Sequence, residues 1–181
     1  LSSELLFIQA LELHRQLLGV NHPQTAQSLN NLANFYNSQR KYKQAKPLYI
    51  QALELRKQLL GVNHPDTVAS LNNLASLYDN QRKYKQAEPL YIQALELHRQ
   101  LLGENHPDTA TSLNNLALLY KHQGKYEQAE PLYIQALKIA ERVLGQNHPN
   151  TLTFRRNLEY LRRKQQQDDS LLGGLKRWIF G

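Results

Sequence analysis

The sequence predicts an all-α chain, a right-handed superhelical solenoid of antiparallel helix pairs. Three observations carry that expectation. Asn-His-Pro recurs at Asn21, Asn63, Asn105 and Asn147, a fixed step of 42 residues. Residues 25–66 and 67–108 differ at only ten of 42 aligned positions, so one unit is repeated rather than several domains joined. Within each unit the apolar residues fall twice at helical spacing, with a polar turn between them. A single helical hairpin cannot bury both of its apolar stripes, whereas stacked copies bury a continuous core.

The elements follow in order. Residues 1–24 match the second half of a unit and supply a leading helix at about 4–18. Full units occupy 25–66, 67–108 and 109–150. In the second unit Pro65 and Asp66 open a first helix, where a missing N–H is harmless and a negative charge is favoured. Asn63 or His64 is its N-cap. Leu71, Leu74, Ala75 and Tyr78 form its apolar stripe, and Asn80-Gln81-Arg82-Lys83 makes a tight turn. Gly124 stands in the third unit where Arg40 and Arg82 stand in the others, the substitution expected if that turn residue has positive φ. The second helix carries Ala87, Leu90, Tyr91, Ala94, Leu95, Leu97, Leu101 and Leu102. Pro89 sits near its first turn, where little hydrogen bonding is lost, and Gly103 stops it. Residues 151–164 match a first half again and give a terminal helix. The tail 165–181 places Leu171, Leu172, Leu175, Trp178 and Ile179 at helical spacing, as a short amphipathic capping helix would. Gly173-Gly174 weakens that helix by about 2 kcal/mol.

Composition narrows the function. The 181 residues carry 22 Lys+Arg against 15 Asp+Glu, a net +7, and 41% are hydrophobic, which excludes wholesale disorder. No apolar run reaches the roughly 18 residues of a membrane span, no leader precedes the first helix, and membrane contact is not expected. Cysteine is absent, so disulfides, thiolate metal sites and cysteine nucleophiles drop out. That absence leaves the redox compartment open; the expected location is cytoplasmic. Methionine is absent even at position 1, so the chain reads as a piece of a longer protein. There is no Gly-rich phosphate loop, nucleophile elbow or His-Glu-x-x-His, and Glu54, Glu96 and Asp66 recur by repetition rather than converge. No enzyme and no cofactor are expected. His22, His64, His106 and His148 occur once per unit, roughly 10 Å apart when stacked. Zinc needs its ligands within about 2.1 Å of one point, so no metal site is expected. Residues 155–181 hold +4 of the net charge, leaving +3 on the rest, and the tyrosines sit at core positions. A phosphate-tracking stripe is missing, so nucleic acid is not an expected partner.

Leu71, Leu74-Ala75, Tyr78, Ala87, Tyr91 and Ala94 occupy the signature positions of the tetratricopeptide repeat. The 42-residue period, Leu-Asn-Asn-Leu-Ala, Gln-Ala-Glu-Pro-Leu-Tyr and Asn-His-Pro-Asp-Thr resemble the longer variant of that repeat found in kinesin light chains. The resemblance covers about 160 of the 181 residues, and nothing here resembles the light chains' motor-assembly regions. It implies first helices lining a concave face and a protein- or peptide-binding role. A helical wheel then selects the groove: Asn30, Asn31 and Asn34, with Gln27 and Asn37; Asn72, Asn73 and Asn80, with Asp79 on a flank; Asn114, Asn115 and Lys121; and Arg156, Asn157, Arg163 and Lys164. The asparagines either grip a ligand backbone, as the resemblance implies, or brace neighbouring helices. Arg156, Arg163, Lys164 and Lys121 would favour an acidic ligand segment. Arg155, Glu159 and Arg162, standing where Leu, Ala and Tyr are expected, read as a solvated cap. The expected function is a non-enzymatic scaffold holding an extended or helical peptide, with acidic segments preferred at the C-terminal end. The alternative is a structural module stacking end to end, because Leu5, Leu6 and Ile8 of the leading helix lack a hairpin partner.

Overall fold

The computed structural model describes the backbone of residues 3–180 and the side chains of 3–168, 170 and 171. Eight helices follow one another: α1 (Ser3–Leu18), α2 (Pro23–Ser38), α3 (Tyr42–Leu60), α4 (Pro65–Asn80), α5 (Tyr84–Leu102), α6 (Pro107–His122), α7 (Tyr126–Val143) and α8 (Pro149–Phe180). No strand occurs among the described residues, and the fold is an all-α solenoid of helix pairs. The chain forms two compact units, residues 1–101 and 102–181.

Each first helix begins in the same way. The Nδ1 atoms of His22, His64 and His106 accept the backbone N–H of Gln24, Asp66 and Asp108 at 3.2, 3.1 and 3.1 Å. His148 does the same for Asn150 at 3.2 Å. The N-cap is therefore the histidine and not Asn63: the proline that follows has no N–H, and the ring nitrogen reaches the next donor. One loop earlier, Gly61 adopts φ 89° and ψ 164°, a region open in practice only to glycine. Its carbonyl accepts the hydroxyl of buried Thr67 at 2.8 Å, and Gly19–Thr25 and Gly103–Thr109 repeat the bond.

The turns within the hairpins do use left-handed residues. Arg40 and Arg82 have φ of 57° and 58°, and Gly124 has φ 74°. Around Arg82 the N–H of Arg82 donates to Asp79 O and that of Lys83 to Tyr78 O, both at 2.8 Å, the paired bonds of a Schellman stop.

Leu29, Leu32, Ala33 and Tyr36 of α2 pack in the first unit against Tyr49, Ala52 and Leu53 of α3 and Leu71, Leu74 and Leu77 of α4. In the second unit Ala117, Ala129, Tyr133, Leu158 and Leu161 form the corresponding core. Each buried leucine contributes about 1.5–3 kcal/mol. On α1, Phe7 and Ile8 pack against the first core, so Ile8 does have partners, while Leu5 and Leu6 stay exposed.

The end of the chain differs from expectation. In place of a terminal helix at 151–164 and a separate tail helix in 165–181, α8 is one helix of 32 residues. Gly173-Gly174 lowers helix propensity without the ring clash of a proline, so it does not force a break. Leu171 is exposed; the side chains of Leu172, Leu175, Trp178 and Ile179 lie outside the described residues.

Candidate peptide-binding face

The site residues expected from the sequence lie on the first helices α2, α4, α6 and α8, and the structure shows how each carboxamide is used. In the first unit Asn73 Nδ2 donates to Asn30 Oδ1 at 2.8 Å, and Asn80 Nδ2 donates to Asn37 Oδ1 at 3.3 Å. In the second unit Asn157 Nδ2 donates to Asn114 Oδ1 at 2.9 Å. Neighbouring first helices are thus braced by amide pairs 43 residues apart. Asn30 and Asn114 are buried, at 5% and 7% exposure, and their oxygens belong to the fold. Asn72 and Asn115 are half-buried. Asn31 Oδ1 accepts Gln27 Nε2 at 2.8 Å, and Asn34 Oδ1 accepts the Tyr49 hydroxyl at 2.6 Å. Asn34 and Asn80 are exposed.

A shallow cleft of about 370 Å³ opens beside this face of the first unit, lined by Phe7, Asn31, Asn34, Phe35 and Ser38. The Phe7 and Phe35 ring centroids are 5.3 Å apart and form an apolar floor beneath the two amides. Asp79, expected on a flank of this face, is instead buried and close enough to Tyr91 to help raise its pKa, after the larger effect of burial.

The cations of α8 divide into two groups. Arg155 pairs with Glu141 and Arg162 with Glu130, both at 2.7 Å, tying α8 to α7. Arg156 and Arg163, seven residues apart, are exposed and, among the described residues, reach only Thr153 Oγ1 and the Glu159 carbonyl. Lys121 Nζ lies 4.9 Å from the Tyr160 ring centroid, and Lys164 is half-buried.

Polar anchors that the sequence reasoning missed hold these helices in place. Arg56 of α3 is buried and donates to Asp66 O and Ser70 Oγ at 2.9 Å and to Gln27 Oε1. Burial lowers its pKa, and Asp66 opposes the shift. His14, 42 residues earlier, has its Nδ1 2.7 Å from Ser28 Oγ. That shared register, His14–Arg56–His98, was the available signal. Glu4 accepts from Lys41 at 3.2 Å and from the Tyr36 hydroxyl at 3.0 Å, and its pKa falls, chiefly through Lys41. Among the described residues no three His, Asp or Glu side chains could hold a metal, and no helix is long and apolar enough to cross a membrane.

Two tetratricopeptide repeat models match this chain, one over residues 109–150 and one over 3–46 and 26–89. No curated protein sequence matches it. Among solved structures it is similar to BtubC (BKLC) from P. vanneervenii, at 24% identity and TM-score 0.76, over 90% of this chain and 65% of that one. It is also similar to the nearly identical TPR-like repeats of a candidate kinesin light chain of Podosopora anserina, at 24% identity and TM-score 0.71, over 96% and 82%. A Rap protein complexed with Competence and Sporulation Factor matches at 20% identity and TM-score 0.73, over 97% of this chain and 49% of that one. The chain thus spans about half to two thirds of the BtubC and Rap chains.

Proposed function

Because the chain belongs to the tetratricopeptide repeat family, in its kinesin-light-chain-like form, and is a protein-interaction scaffold, we propose that its first-helix faces hold an extended or helical peptide segment, with acidic segments preferred at α8. The role is non-enzymatic, the setting cytoplasmic, and neither a cofactor nor nucleic acid takes part. The observation that carries this reading is the cleft of the first unit. Asn31 and Asn34 each spend one oxygen within the fold and, among the described residues, keep an amide N–H₂ group to offer beside the Phe7–Phe35 floor. That combination suits a peptide backbone above and an apolar side chain below. Exposed Arg156 and Arg163 support the acidic preference. A Rap protein of the same fold, solved with Competence and Sporulation Factor, supports a bound partner.

Titration with matched acidic and neutral peptide libraries tests the proposal. Arg156→Ala with Arg163→Ala should weaken acidic ligands selectively and flatten their salt dependence, while Asn31→Ala with Asn34→Ala should weaken both classes. Equal losses for acidic and neutral peptides in the arginine variant would remove the acidic preference.

A second reading, self-association, has one observation in its favour. Leu13 of α1 is 52% exposed, whereas Leu55, its counterpart 42 residues on, is 8% exposed. Sedimentation that stays monomeric across a wide concentration range would dismiss it.

A further inference from the structure

The first unit has a strongly charged edge whose cations lie outside the first-helix face. Where the start of α3 meets the α4–α5 turn, a cleft of about 550 Å³ is lined by Tyr42, Lys43, Lys46, Arg82 and Lys83, with Asn80 and Gln81. Four of these side chains are cationic and none is acidic. Lys43, Arg82 and Lys83 are exposed, and Lys46 Nζ lies 5.4 Å from the Tyr78 ring centroid.

The second unit supplies an internal control. Its corresponding cleft, between the start of α7 and α8, is about 730 Å³ and holds Lys125 and Arg162 against Glu127 and Asp168. At the positions matching Lys43, Lys46, Arg82 and Lys83, 84 residues on, stand Glu127, Glu130, Gln166 and Gln167. A repeat of this kind therefore forms its cleft without those cations.

The backbone at Arg82 gives a second, independent reason. Its φ of 58° is one an L-residue adopts at a cost, and the third full repeat, 109–150, places Gly124 at the same turn. Among the described residues the guanidinium of Arg82 makes no hydrogen bond or ion pair, so only its charge beside the end of α4 offsets that cost within the fold. Arg40, at φ 57° in the preceding turn, repeats the arrangement. A strained residue kept with only partial internal compensation points to a role outside the fold.

We infer that this cleft docks an acidic segment of a partner protein, with its carboxylates seated among Lys43, Lys46, Arg82 and Lys83. Charge complementarity selects the occupant: four cations at one small cleft match a few side-chain carboxylates. A nucleic-acid strand would need cations continuing along many phosphates, and this cleft offers four.

The test is fluorescence anisotropy of labelled hexaglutamate with the full chain at low salt. Three variants are compared: Arg82→Gly, Lys43→Glu with Lys46→Glu, and Arg156→Ala with Arg163→Ala as the α8 control. Arg82→Gly keeps the turn conformation, so its melting curve should stay within a few degrees of the parent's while affinity falls about tenfold, the worth of one charge-assisted bond. The double glutamate variant, which installs the residues of the second unit, should lose more. Full binding in both cleft variants with loss only in the α8 variant would overturn this inference and leave the first-helix reading standing. Loss in the cleft variants alone would support the cleft and count against the acidic preference at α8. Absence of any hexaglutamate binding would overturn the inference outright. Tighter binding of a six-nucleotide oligothymidylate through the same lysines would overturn the protein assignment.

Discussion

Replacing Arg82 by glycine isolates the backbone strain of the α4–α5 turn. Arg82 sits at φ 58°, with its own N–H and that of Lys83 bonded to Asp79 O and Tyr78 O at 2.8 Å. An L-residue in the left-handed region is disfavoured by about 1–2 kcal/mol. Glycine escapes that strain but raises the entropy of the unfolded chain, by about 0.4–1 kcal/mol. The arginine charge near a helix C-terminus also contributes about 0.3–1 kcal/mol, which glycine gives up. The balance centres near neutral, within about 1 kcal/mol either way, or roughly 2–4 °C in Tm for a chain of this size. Arg82→Ala supplies the comparison, since it removes the same charge and keeps the Cβ. Its urea midpoint, followed by helical circular dichroism, should fall below that of Arg82→Gly. An alanine variant at least as stable as the glycine variant would refute a left-handed turn. At Gly124 a Cβ would meet nothing within 4 Å, so the penalty in this turn type is conformational and not steric.

The remaining expectations concern other parts of the repeat. Gly61→Ala should cost about 1–3 kcal/mol, because φ 89° with ψ 164° is closed to alanine; Gly124→Ala, in the milder turn, should cost about 1 kcal/mol, and the order of the two midpoints in urea checks this. Asn73→Ala leaves the buried Asn30 oxygen without its donor and should cost about 1–3 kcal/mol of stability. Asn31→Ala loses only an exposed contact with Gln27 and should stay within about 0.5 kcal/mol, so chemical melts of the pair separate bracing from surface asparagines. Burial pushes the Tyr49 hydroxyl up to about 12, with a smaller opposing effect from Asn37. The folded state therefore prefers the neutral phenol: its contribution is intact below about pH 10 and is lost as pH rises from there towards 12. Tyr49→Phe should lose less stability than the parent over that range in pH-dependent melts.

Much of the architecture was legible because it depends on local rules. Proline at Pro23, Pro65 and Pro107 and glycine at Gly19, Gly61 and Gly103 punctuate the chain at fixed offsets, and apolar residues between them return at helical spacing. The swap of arginine for glycine at Arg40, Arg82 and Gly124 pointed to the positive φ that the backbone adopts. The choice between Asn63 and His64 as cap stayed open, because it depends on which side chain reaches past Pro65 to the Asp66 N–H.

The candidate site was less legible than the fold. Asn30, Asn73, Asn114 and Asn157 fall on one helical face by periodicity, but periodicity cannot say whether a carboxamide meets solvent or the next helix. Burial of Asp79 and Arg56 likewise depends on a neighbouring helix closing over them. The cationic cleft joins residues some 40 positions apart, Lys43 and Arg82, whose charges look scattered along the chain. The sequence by itself determined the repeat, the helix pairs and the stereochemistry of the turns, since each arises from contacts within a few residues. Only the tertiary structure decided which asparagines brace, which charges are buried and which cations share a cleft, since those outcomes depend on the axial offset between stacked helices, and no local pattern encodes that offset.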